Sequence, residues 1–145
     1  MKEHAYNELL LNSSKNNLAI LFDYAVNVKH LSIDEIVDDF ISSDISKDIE
    51  SGTSIYIDGI TGIELYFEIE DDNLIEEHHC YNRSKEFWLG YYVAYAQWYL
   101  NCSFKDIFKV ISPNDLLERY SIYHEVSEIK FAEYIKELIK KSNIL

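Results

Sequence analysis

One proline and four glycines are spread over 145 residues. So few chain breakers exclude a loop-rich architecture and favour helices joined by short turns. Two cysteines, Cys80 and Cys102, are too few for the disulfide framework of a small secreted domain, so reduced thiols in a cytoplasm are expected. No stretch approaches the ~18 consecutive apolar residues of a membrane span. The segment Met1-Lys2-Glu3-His4-Ala5-Tyr6-Asn7-Glu8 also lacks an apolar h-region, so neither export nor membrane insertion is predicted. Basic residues are scarce: 13 Lys and Arg face 26 Asp and Glu, a net charge of −13.

That charge is concentrated in one half of the chain. Residues 1–80 hold 4 lysines against 18 acids, a net of −14, whereas residues 81–145 hold 9 bases against 8 acids, a net of +1. A surface so acidic repels phosphate backbones and anionic lipid headgroups and speeds encounter with a basic protein. Disorder is excluded despite the charge, because 48% of residues are apolar and 12 tyrosines, 7 phenylalanines and 2 tryptophans are present. The length suits one core, so residues 1–145 are read as a single acidic helical domain.

Spacing and caps place the elements in a compact, mainly α bundle of about six to seven helices. Leu18, Leu21, Phe22, Ala25 and Val28 mark one buried helical face over about 15–30. Ser32 with Glu35 is a capping box opening a helix that places Ile33, Ile36, Val37, Phe40 and Ile41 on an inward stripe and turns Asp34, Asp38 and Asp39 outward. Ser43 or Ser46 opens a further short turn that buries Ile45 and Ile49. Residues 53–70 admit two readings. Alternation of Ile55, Ile57, Ile63, Leu65, Phe67 and Ile69 around Asp58-Gly59 describes a small β-hairpin, whereas Thr61-Gly62-Ile63-Glu64 is a capping box opening a helix; the helix is preferred. Residues 70–83 read as an exposed loop.

The second half is strongly aromatic. Phe87 to Leu100, with Trp88, Tyr91, Tyr92, Tyr95, Trp98 and Tyr99, has almost no polar face and belongs at the centre of the core, with any tyrosine left over available to a protein interface. Ser103 to Asp106 caps a short helix, and Ser112-Pro113-Asn114-Asp115 supplies an N-cap serine and an N1 proline for the next. A last helix over about 124–141 is expected to bury Val126, Ile129, Ala132, Ile135, Leu138 and Ile139 and to end on lysines that suit its dipole.

No constellation carries clear chemistry. Glu76-Glu77-His78-His79-Cys80 groups metal-ligand types, but no second cluster completes a zinc site, so no metal or cofactor is expected. His124-Glu125 lacks a nucleophile or an oxyanion hole, so no catalytic residue is assigned. Asp58-Gly59-Ile60-Thr61-Gly62 is neither a P-loop nor a dinucleotide fingerprint. The helix, turn and helix of 87–110 superficially look like a DNA-binding motif, but residues 103–111 offer Lys105 and Lys109 amid Phe104, Ile107, Phe108 and Ile111, which disfavours DNA reading.

Two blocks nonetheless look familiar. Phe40 to Gly52, continuing through Tyr56-Ile57-Asp58-Gly59-Ile60-Thr61-Gly62-Ile63-Glu64-Leu65, resembles a bacterial pattern of Phe, Glu-Gly and Tyr-x-x-Gly-x-Ser-Gly-x-Glu-Leu. Glu86 to Gly90, Ala94 to Trp98, Ser103-Phe104, Ile107-Phe108, Tyr120 and His124-Glu125 to Lys130-Phe131 fit the same group, an uncharacterised family of small helical proteins often encoded beside predicted ADP-ribosyltransferase-like toxins. The resemblance implies an antitoxin-like or accessory role and no catalytic residue. The chain departs from the pattern at Ser51, which interrupts the Glu-Gly pair, at Thr61, which replaces a serine, and from Tyr66 onward, which is more β-prone.

The expected function is therefore a non-enzymatic, antitoxin- or immunity-like binding module that meets a basic partner, such as a toxin. Its contacts would be Asp34, Asp38, Asp39, Asp44, Asp48, Glu68, Asp71, Asp72, Glu76 and Glu77. Two alternatives are a ligand-binding domain or enzyme with a pocket near Thr61, Glu64, Tyr95, Gln97 and His124, and a nucleic-acid mimic that inhibits a DNA-processing protein.

Overall fold

The computed structural model describes residues 3–74, 76 and 84–142. Among them lie ten α-helices, a 3-10 turn at Glu8–Leu10 and no β-strand. Ten exceeds the expected six to seven because single turns intervene between the longer helices. In chain order the helices are α1 (Leu11–Asn27), α2 (Ile33–Ser42), α3 (Asp44–Glu50), α4 (Ser54–Ile57), α5 (Gly62–Glu70), α6 (Lys85–Leu100), α7 (Phe104–Val110), α8 (Pro113–Glu118), α9 (Tyr120–Tyr123) and α10 (Glu128–Ser142).

Local capping chemistry fixes most of the starts. Ser32 and Glu35 form the reciprocal capping box at α2, and Thr61 and Glu64 form a second one at α5. The hairpin alternative at 53–70 is thereby overturned: α4 and α5 occupy the segment, and the two reciprocal bonds of Thr61 and Glu64 satisfy backbone donors that a strand would need for a ladder. The side chains of Ser84, Ser103 and Ser112 each accept the backbone N–H three residues on, opening α6, α7 and α8.

Two boundaries differ from expectation. Helix α1 begins at Leu11, ahead of the expected start near residue 15, because Asn7 accepts the Leu9 N–H and the 3-10 turn feeds straight into it. At the other end, the expected helix over 124–141 starts only at Glu128. There Ser127 Oγ accepts the Lys130 N–H, resetting the start, and Ile129 is left 51% exposed while Phe131 takes the buried position.

The core is organised around α1 and α6. Helix α1 packs most extensively on α6 and next on α5, and α10 covers α6 from another side. Phe22, Phe40 and Phe104 join α1, α2 and α7 edge to face, with ring centroids 6.0 and 5.0 Å apart. Two glycines permit the tightest approaches. A Cβ on Gly90 would lie 2.5 Å from the Leu18 carbonyl oxygen and 2.7 Å from Ala19 Cα, and one on Gly62 would lie 2.5 Å from the Asn17 carbonyl oxygen. Asn17 strengthens the second contact, its Nδ2 donating to the carbonyls of Ile57 and Ile60 at 2.7 and 2.8 Å.

Because the neighbours of Gly90 are backbone atoms that cannot rotate away, the variant Gly90→Ala is expected to lose about 2–3 kcal/mol of stability in spite of alanine's better helix propensity. Urea unfolding followed by tryptophan fluorescence measures this, and a variant as stable as the parent would show that the helices separate freely.

Candidate functional site

Two surfaces are candidates: the acidic face of α2, α3 and α5, and an aromatic cleft beside α6. On the first, Asp38, Asp39, Asp44, Glu68 and Asp71 are exposed and Asp34, Asp48 and Asp72 are half-buried. Glu76 is exposed, and Glu77 lies outside the described residues. Among the described residues, only Asp72 and Glu76 of this set are in ion pairs, both with Lys29, at 3.1 and 2.7 Å. Lys29 also donates to the Leu74 carbonyl at 2.7 Å and sits over the rings of Tyr24, Tyr66 and Phe67, tying the segment after α5 back to the end of α1. Its Glu76 and Asp72 partners hold the ammonium pKa above the usual lysine range. The Leu74 N–H and Lys29 hold the Asp72 carboxyl below its usual range. Asp34 accepts from Asn114 Nδ2 at 2.5 Å, which joins α2 to α8.

The acids of α2 and α5 sense one another. Glu70, at the end of α5, is pushed up to about 7, first by burial, then by its contact with Asp39 and the charges of Asp39, Glu35 and Asp72. Its Oε2 is shielded from water without a hydrogen-bond donor among the described residues. Carboxylates from two helices thus share one field.

The second surface is a cleft of about 270 Å³. Phe87, Trp88, Tyr91 and Tyr92 of α6 line one side, Tyr120 and His124 another, and Ser84 completes the lining. The His124 ring stacks on Tyr120 at 4.6 Å, and Tyr120 meets Trp88 edge to face at 5.5 Å. Tyr92 donates to the Val126 carbonyl at 2.7 Å. Burial and the nearby Glu128 push its phenol pKa up, so it remains neutral.

Buried polar groups surround this end of α6. Lys15, 6% exposed, pairs with Glu128 at 3.0 Å and lies 4.6 Å from the Tyr91 ring centroid. Asp23 and Glu86 are 0% and 6% exposed. Asn27 Nδ2 donates to both carboxylates, at 2.8 and 3.1 Å, and Ser84 Oγ donates to Asp23 at 2.7 Å. Sequence reading missed Lys15, Asp23 and Glu86 because an amphipathic helix gives no local sign that a charged residue on its buried face will meet a partner dozens of residues away.

The five residues grouped as a pocket fall in different settings. Thr61 and Glu64 are occupied in their mutual cap. Gln97 is 1% exposed and donates to the Cys102 carbonyl at 3.0 Å. Tyr95 stacks on Tyr99, and His124 lines the aromatic cleft. Burial pushes the Cys102 thiol up to about 12, which disfavours its reactive thiolate form. The Glu76 to Cys80 cluster lies largely outside the described residues, among which no group of three metal-ligating side chains occurs. No described helix is long and apolar enough to cross a membrane. No family model matches the chain, and neither a curated protein nor a solved structure does.

Glu70 makes the acidic face testable. The folded chain keeps its proton between the ordinary carboxyl value near 4.5 and about 7, where the unfolded chain has released it. This contribution to stability is therefore present at low pH and is lost as pH rises to about 7. Glu70→Gln removes that loss, and its melting temperature is expected to exceed the parent's at pH 8 and to converge with it near pH 5. Parallel curves over that range would show that Glu70 is not strained by its neighbours.

Proposed function

We propose that this chain is a non-enzymatic binding protein that engages a basic protein through the acidic face of α2, α3 and α5. The carrying observation is the uncompensated charge: on that face, Asp38, Asp39, Asp44 and Glu68 make no ion pair among the described residues. Such an arrangement does not favour stability: Glu70 is pushed toward neutrality first by burial and then by Asp39 and the charges of Glu35 and Asp72. A complementary partner relieves the repulsion. Long-range attraction would set the encounter rate, and apolar and aromatic contacts would hold the complex.

An antitoxin- or immunity-like role, in which a basic toxin is neutralised, is the form of this activity that the sequence resemblance implies. Among the described residues, the side chains considered for catalysis have other engagements. The buried thiol is protonated, the capping residues are engaged, and His124 Nδ1 lies 2.6 Å from the Tyr120 carbonyl.

The test compares the parent with Asp34→Lys, Asp38→Lys and Asp39→Lys combined, as baits in native lysate at low and moderate salt. A stoichiometric basic protein retained by the parent is then mixed with both proteins in stopped flow. The triple variant is expected to associate at least about tenfold more slowly at low salt, with a flattened salt dependence. Equal rates and equal salt slopes would remove this face from the interface.

A further inference from the structure

The aromatic cleft has a property that the acidic face does not explain. Its lining is mostly aromatic, supplied by Phe87, Trp88, Tyr91 and Tyr92 of α6 and by Tyr120 and His124, with Ser84 beside them. Among the described residues no lysine or arginine lines it. Trp88 Nε1 is sealed from solvent, so the indole offers the cleft its carbon framework rather than a hydrogen-bond donor. Ring faces carry negative electrostatic potential and attract cations, most strongly where water is excluded.

The protein itself illustrates that attraction on the same row of tyrosines. The Lys15 ammonium is 4.6 Å from the Tyr91 centroid and 5.7 Å from that of Tyr95, with Glu128 as its counter-ion. Further negative charge backs the Ser84 end of the cleft, where Ser84 donates to Asp23 and Asn27 joins Asp23 to Glu86. The helix dipole at the start of α6 would oppose a cation there, and these two carboxylates offset it. The tyrosine at position 92 stays a neutral phenol hydrogen-bonded to Val126, so its ring is held in place.

We infer that the cleft beside α6 receives the guanidinium of an arginine side chain carried by the basic partner. The volume of about 270 Å³ suits one long side chain and is small for a cofactor. Guanidinium fits better than ammonium because it is planar, weakly hydrated and stacks on aromatic faces. The inference rests on the basic-partner reading for the origin of the arginine, but the cleft itself is testable without the partner.

The experiment titrates the full chain with N-acetyl-arginine methylamide and with its uncharged isostere N-acetyl-citrulline methylamide, following amide resonances of residues 84–92 and 120–124. Saturable shifts with arginine, and binding of citrulline weaker by roughly twofold to thirtyfold, are expected from the cation–ring attraction. Phe87→Leu keeps apolar bulk and removes one ring, and it should weaken arginine without moving citrulline. Should that variant fail to fold, Tyr120→Leu asks the same question from the opposite wall. Equal binding of the two probes, no saturable shift, or preference for the corresponding lysine derivative would each overturn the assignment. A positive titration beside unchanged kinetics of the triple lysine variant would instead retain the cleft and overturn the acidic-face reading.

Discussion

The close approach of α1 to both α5 and α6 is the contact on which the rest of the molecule depends. At Gly90 and Gly62 the neighbouring helices come so near that only hydrogen fits between backbones. This separation brings the middle of α1 into the core, where Ala19, Leu21, Phe22, Tyr24 and Ala25 are fully buried. The charged residues of the same helix are carried in with it. Lys15 and Asp23 on a solvated helix would be ordinary; against α6 they must find partners or lose their charge. Glu128 pairs with Lys15, and Asn27 and Ser84 donate to Asp23. A larger residue at either glycine would therefore disturb an apolar seam and, with it, two buried polar arrangements that lie beside the aromatic cleft.

What could be read from sequence was local. The caps at Ser32, Thr61, Ser103 and Ser112 involve partners three residues away, so residue identity and spacing were sufficient. The alternation that suggested a hairpin at 53–70 was equally visible, but Ile57 and Leu65 are buried by helix packing, and a period of two over so few residues does not separate the cases. Ser127 was also visible, yet a continuous apolar pattern from Val126 onward concealed the break it makes. The two surfaces differ in the same way. Acid content was evident from composition, whereas the contact between Asp39 and Glu70 and the meeting of α6 with Tyr120 depend on tertiary packing.

Were a basic partner to engage both proposed surfaces, the two would divide the work of association along known physical lines. Exposed acids attract over roughly a Debye length of about 8 Å at physiological salt and lose most of that influence as salt rises. Rings in a cleft act only at contact, but they exclude water and are little affected by salt. A partner selected by charge alone would be any basic protein. A partner that must also present a side chain fitting between Phe87, Tyr91 and Tyr120 is a narrower class, since a mismatch there leaves the cleft unfilled.

Glu70 links this division back to folding. Its carboxyl is half-buried beside Asp39 and within the field of Glu35 and Asp72, and burial with these neighbours pushes it up to about 7. A positive surface laid on α2 and α5 would favour the ionised form, and by linkage any such association must release protons and must weaken as protons are supplied. The magnitude is bounded by how far the partner restores the ordinary carboxyl value. The direction is fixed by the residues already present: the repulsion that makes this face costly to the isolated chain is the same repulsion that a basic partner would reduce. Crowded acids and a stable complex are thus compatible, and the acidic face need not be explained as a property of the fold alone.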